Sequence, residues 1–154
     1  MSTSKAAAQI TMLRADVLLL RLQELGVATP DQLEHAKEEL AATTERFSAI
    51  LARLGILRDT DAGKRFAPQL GAMPQSLTTP LRGPVPSSAP VPPALWCSHR
   101  LVPIHEAGGR MLVATDDPLS VFSLDYFSRR CGCALDAVLV SEQELAPLLA
   151  ALEQ

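Results

Sequence analysis

Seven prolines fall between Leu70 and Pro93, at 74, 80, 84, 86, 90, 92 and 93, among serines, threonines and glycines. Proline holds φ near about −65° and offers no amide hydrogen, so a run this dense forms neither a packed helix nor an interior strand. The stretch reads as a semi-extended strap. It divides the chain into a helical subdomain at 1–71, a linker at 72–93 and a small α/β subdomain at 94–154. The linker lacks the flanking basic pattern that would make it a ligand for a proline-reading domain.

The leading segment has the period and punctuation of short helices. Leu13, Val17, Leu20 and Leu25 recur among polar residues up to Gly26, which is placed to stop a helix. Thr29-Pro30-Asp31-Gln32 combines a cap, a first-turn proline and a glutamine at the third helical position, so a second helix runs from Pro30 into the early forties. Leu33 and Leu40 share its face. A third helix spans Glu45 to Leu54 and stops at Gly55, and a fourth lies near Asp61 to Leu70. Shifting the chain by 29 residues places Leu22 on Leu51, Leu25 on Leu54, Gly26 on Gly55 and Val27 on Ile56. The unit of helix, Leu-Gly-aliphatic stop and helix is therefore repeated.

Beyond the strap the pattern changes. Leu101 to Ile104 and Met111 to Ala114 are apolar runs separated by Gly108-Gly109, which predicts a β-hairpin with a loop of about four residues. Asp116-Asp117-Pro118-Leu119 offers a capping carboxylate and a first-turn proline, and the helix it opens ends near Cys131, before Gly132. Ala134 to Val140 reads as a third strand, and Ser141-Glu142-Gln143-Glu144 has the form of a capping box before a last helix. The order β-β-α-β-α after a helical segment gives an α+β fold, with a right-handed crossover if the second and third strands are parallel and both helices on one side of the sheet. Trp96, the single tryptophan, is expected in the join between linker and sheet.

Three stretches then carry a resemblance: Arg100-Leu-Val-Pro-Ile, Gly109-Arg-Met-Leu-Val-Ala-Thr-Asp-Asp-Pro-Leu, and Val140-Ser-Glu-Gln-Glu-Leu. Together they resemble the MshEN-like N-terminal domain of type II secretion and type IV pilus assembly ATPases. The resemblance also implies a tandem repeat in the helical segment. In members that bind cyclic di-GMP it implies a duplicated motif that begins Arg-Leu-Gly, passes through Leu and Gly, and ends in Gln. The second copy here partly fits that motif, with Arg46, Phe47 in place of the Leu, Ser48 in place of the Gly, and then Leu51, Gly55 and Gln69 in register. In the first copy Val17, Leu19 and Leu40 stand at the Arg, Gly and Gln positions, and Arg14 is three residues out of register. An arginine fork reads phosphate or a guanine edge, and each such charge-assisted bond contributes roughly 1.5 to 3 kcal/mol, so the first copy has lost its main donors.

Composition narrows the remaining classes. A net charge of −3 and 4% aromatic residues argue against nucleic-acid binding. No stretch has the apolar core of an export signal or the roughly 20 apolar residues of a membrane span, so a cytoplasmic setting is expected. Cys97, Cys131 and Cys133 need no disulfide there, and their spacing with His99 does not match structural zinc sites, so no metal is expected. Gly63-Lys64 is followed by Arg65, so the chain has no phosphate-cradling loop, and it has no G-x-S-x-G elbow. His35, His99 and His105 lack local partners for a triad, and Asp116 and Asp117 are explained as helix-capping residues.

The expectation is a non-enzymatic protein-interaction or regulatory module without a cofactor. It would dock on a secretion or pilus assembly component or ATPase, with Val17, Leu19 and Leu40 in the first copy favouring this reading. The alternative is a cyclic di-GMP receptor using Arg46, Phe47, Ser48, Leu51, Gly55 and Gln69. The chain's end at Leu152-Glu153-Gln154 fits both a free-standing protein and the leading piece of an ATPase.

Overall fold

The computed structural model describes residues 12–43, 45–58, 65, 67–69, 74, 75 and 91–153. The fourth expected helix, near Asp61 to Leu70, and most of the linker lie outside them. The helical part consists of α1 (Ala15–Glu24), α2 (Pro30–Ala42) and α3 (Phe47–Arg53). It is followed by α4 (Pro93–Ser98), β1 (Val102–Ala107), β2 (Arg110–Thr115), a 3₁₀ segment (Pro118–Ser123), α5 (Leu124–Cys131), β3 (Ala134–Leu139) and α6 (Glu142–Glu153). The fold is α+β, and from β1 onward the order is the predicted one, except that the helix expected to open at Pro118 begins as a 3₁₀ segment and becomes α-helical at Leu124.

Local chemistry places the helix ends. The Thr29 hydroxyl accepts from the Gln32 amide at 3.2 Å while the Gln32 side chain accepts from the Thr29 amide at 2.9 Å, a complete capping box on α2. The two repeated stops share one geometry. The amides of Leu25, Gly26 and Val27 bond to the carbonyls of Arg21, Gln23 and Leu22, and those of Leu54, Gly55 and Ile56 bond to Ile50, Ala52 and Leu51, each 29 residues on. Both are Schellman caps, with Gly26 and Gly55 at φ of +73° and +78°. A third cap of this form ends α4, where the amides of Arg100 and Leu101 bond to Cys97 and Trp96 and Arg100 takes a φ of +55° without being glycine.

The hairpin differs from expectation. Its loop is two residues, Gly108 and Gly109, both at positive φ, so β1 and β2 run closer to the turn than the apolar pattern indicates. β2 pairs antiparallel with β1 and parallel with β3, and the sheet order is β1-β2-β3. Met111 to Thr115 are all buried, so both faces of the central strand are covered, not the single face expected. Helix α4 was not anticipated. It starts at the last proline of the strap and buries Trp96, which stacks on Phe127 of α5 at 4.4 Å and 13°. One core joins the two halves, with Leu22, Phe47, Ile50 and Leu51 of the helices packed into the same cluster as Trp96, Val113, Leu119, Phe127 and Leu145.

Candidate functional site

The six residues aligned with the nucleotide motif fall in two places. Arg46 precedes α3 in an extended conformation and is half-buried. Phe47, fully buried, meets Phe122 at a ring separation of 4.6 Å. Ser48, 1% exposed, donates its hydroxyl hydrogen to Asp117 Oδ2 at 2.6 Å. Leu51 is fully buried one turn later. These four form a joint between the second repeat and the segment after β2. Gln69 is exposed and lies away from them, on a cavity of about 430 Å³. Gly55 opens the turn whose Ile56 and Leu57 line that cavity, facing Gly26 and Val27 of the first repeat, with Arg58 and Arg65 at its edge.

Asp117 organises the joint. Its Oδ1 accepts from the Leu119 amide at 3.0 Å, which caps the 3₁₀ segment as its position before Pro118 predicts. Burial pushes its carboxyl above the ordinary 3.8, while the Ser48 hydroxyl and the charge of Arg46 act in the opposite direction. Asp116, its neighbour, serves another partner: Arg100 grips it through Nε and Nη2 at 2.6 and 2.7 Å, which raises the Arg100 pKa. Neither contact was readable from the sequence, because Ser48 and Asp117 are 69 positions apart and Arg100 and Asp116 are 16 apart. The only local signal was Arg100 itself, a non-glycine at the stop of a helix no pattern predicted.

A second cavity, of about 520 Å³, lies where the carboxyl ends of β2 and β3 meet the start of α6. Asp116, Ser141, Glu142 and Arg65 line it, so Arg65 borders both cavities. The expected capping box at Ser141 is present in its first half, the Glu144 amide donating to Ser141 Oγ at 3.1 Å. Among the described residues no group of three His, Cys, Asp or Glu side chains could hold a metal ion, and no helix is long and apolar enough to cross a membrane. His99 is buried with Nδ1 at 2.9 Å from Ser123 Oγ, and Cys97 Sγ lies 3.9 Å from the Leu149 carbonyl oxygen. Burial raises the Cys131 thiol, which keeps it in its less reactive form.

The first repeat also packs on the segment after β2, and it leaves an apolar surface exposed. Val17 and Leu20 of α1 are 47% and 57% exposed, with Met12 and Leu25 also exposed at the helix ends, while Leu18 and Leu22 on the opposite side enter the core. Val17 stands where the motif has arginine.

No curated protein matches the chain. Among solved structures, that of MshE with cdg is 22% identical, covering 86% of this chain and 96% of its own with a TM-score of 0.43. The N-terminal domain of XpsE is 20% identical, covering 90% and 96% with a TM-score of 0.48. A family profile for the MshEN domain matches residues 78–154. With half of its length so matched, the chain belongs to the MshEN domain family, the type of N-terminal domain found in the secretion and pilus ATPases that its residues resemble.

Proposed function

We propose that this chain is a non-catalytic docking module for a component of a secretion or pilus assembly machine, an assembly ATPase included, and that it docks through the outward face of α1. The observation that carries this reading is the exposure of Val17 and Leu20, side by side on a helix whose other side already supplies Leu18 and Leu22 to the core. Apolar side chains at these positions leave about half of their surface in water, and covering them with a partner removes that contact. The test is fluorescence anisotropy of the labelled chain titrated with a purified assembly ATPase. Saturable binding that weakens about tenfold or more in V17E/L20E supports docking by this face, since each buried aliphatic side chain is worth roughly 1.5 kcal/mol or more. Unchanged binding of the double variant would remove this face from the reading.

A second reading rests on the cavity between the two repeated turns. Gln69, the last residue of the motif, is on it beside Arg58 and Arg65, over an apolar floor of Val27, Ile56 and Leu57. Cyclic di-GMP offers phosphates to the arginines and flat bases to the floor. Calorimetric titration with cyclic di-GMP separates the readings: heat that disappears in Q69A and R58A supports the receptor, and absence of heat up to hundreds of micromolar leaves the docking module alone.

A further inference from the structure

We propose that Cys131 and Cys133 form a dithiol that a low-molecular-weight disulfide converts to an intrachain disulfide, a modification site at the end of α5. The two residues flank Gly132, where that helix stops. The Cα separation across one residue is set by the φ and ψ of that residue, and mirror-image dihedrals give the same separation. Gly132, at φ 72° and ψ 22°, is the mirror of a helical residue, so the flanking Cα atoms lie about 5.4 Å apart, as residues i and i+2 of a helix do. Disulfides span roughly 4.4 to 6.8 Å between Cα atoms, and this turn is inside that window.

Two hydrogen bonds hold the turn in place. The Gly132 amide donates to the Ser128 carbonyl at 2.9 Å, and the Ser128 hydroxyl donates to the Cys133 carbonyl at 2.6 Å. Both thiols are free and half-buried. They are close enough to act on each other, since Cys133 is one cause, after burial, of the raised Cys131 pKa. Cys97 is placed otherwise, with its Sγ 3.9 Å from the Leu149 carbonyl oxygen. Arg129 and Arg130, both exposed in the last turn of α5, favour an oxidant that carries carboxylates, such as glutathione disulfide.

Burial keeps Cys131 protonated, so Cys133 attacks first. Its thiolate forms a mixed disulfide with one sulfur of glutathione disulfide and expels one glutathione thiolate. The Cys131 thiolate then attacks the Cys133 sulfur and expels the second. The two cysteine protons end on the two departing thiolates, the chain loses two electrons and glutathione disulfide gains them.

The experiment treats the reduced full chain with glutathione disulfide, blocks remaining thiols with N-ethylmaleimide and maps the peptides by mass spectrometry, in buffer and in concentrated urea. The expected main product in buffer is a peptide that holds Cys131 and Cys133 and lacks two hydrogens, with Cys97 blocked by the maleimide. In urea the ratio of this ring to mixed disulfide should fall about tenfold, because the turn no longer holds the thiols together. In buffer, C131S should take up glutathione at Cys133 severalfold faster than C133S does at Cys131. Mixed disulfides that persist on both cysteines in buffer, or a ring as abundant in urea as in the folded chain, overturn the proposal. Uptake in C133S as fast as in C131S overturns the order of attack.

Discussion

The two copies of the repeat end their first helices with the same hydrogen bonds but begin them in opposite surroundings. Around Gly26 and Gly55 the three amide bonds of the cap recur 29 residues on, and Leu57 adds a further amide bond to Leu51 in the second turn. Seven to nine residues earlier, Val17 faces water while its counterpart Arg46 leads into Phe47 and Ser48, which are sealed against Phe122 and Asp117. A Schellman cap depends only on a residue that tolerates positive φ, so a duplicated Leu-Gly keeps it wherever the unit sits. What a helix start contacts depends on its neighbours: both helices pack on the connecting segment Pro118–Ser123, and the second copy adds the Ser48–Asp117 bond to it.

The comparison breaks most directly at Phe47. F47A should cost about 3–5 kcal/mol in chemical denaturation, because the cavity forms under Phe122 in the shared core, whereas V17A on the other copy should stay within about 0.5 kcal/mol. A small loss in F47A would mean that the two halves are not packed as one unit.

S48A comes next, at roughly 1.5 to 3 kcal/mol near neutral pH, since it leaves a buried carboxylate without its hydroxyl donor. The cost depends on pH. Asp117 has a folded pKa above 3.8, so its favourable contribution is complete below that value and is lost as pH rises through the raised one. The charged form is the one that needs the Ser48 donor. Acidification through the raised pKa should therefore shrink the difference between S48A and the unsubstituted chain, and D117N should remove the pH dependence of that difference. A difference that grows on acidification would place the charge elsewhere.

The smallest effects test the likeness of the turns. G26A and G55A meet no neighbouring atom, so each should cost only the backbone penalty of about 1 to 2 kcal/mol, and the two midpoints should agree. A clear inequality would show that one turn is held by contacts the other lacks.

Much of the fold was legible because it rests on neighbours in sequence. The capping box at Thr29, the cap at Asp117, the stop at Gly132 with φ of +72° and the parallel β2-β3 unit all follow from residues within a few positions of one another or from chain handedness. The two-residue hairpin loop was missed because apolar runs mark the buried part of a strand, not its exposed end at Glu106 and Arg110. Helix α4 was missed because it is a single short helix that begins on the last proline of the strap, where periodicity has too few residues to register.

The candidate site was legible only in its alignment. The sequence by itself determined that one repeat keeps Arg46 and Gln69 and the other does not, and that both keep the Leu-Gly turn, because those are statements about residue type and local backbone. Only the tertiary structure decided that Ser48 faces Asp117, that Gln69 stands apart on a cavity with Arg58 and Arg65, and that Val17 and Leu20 face outward. Those outcomes are set by the packing of distant elements into one core, where a helix of given pattern turns whichever face its neighbours bury best.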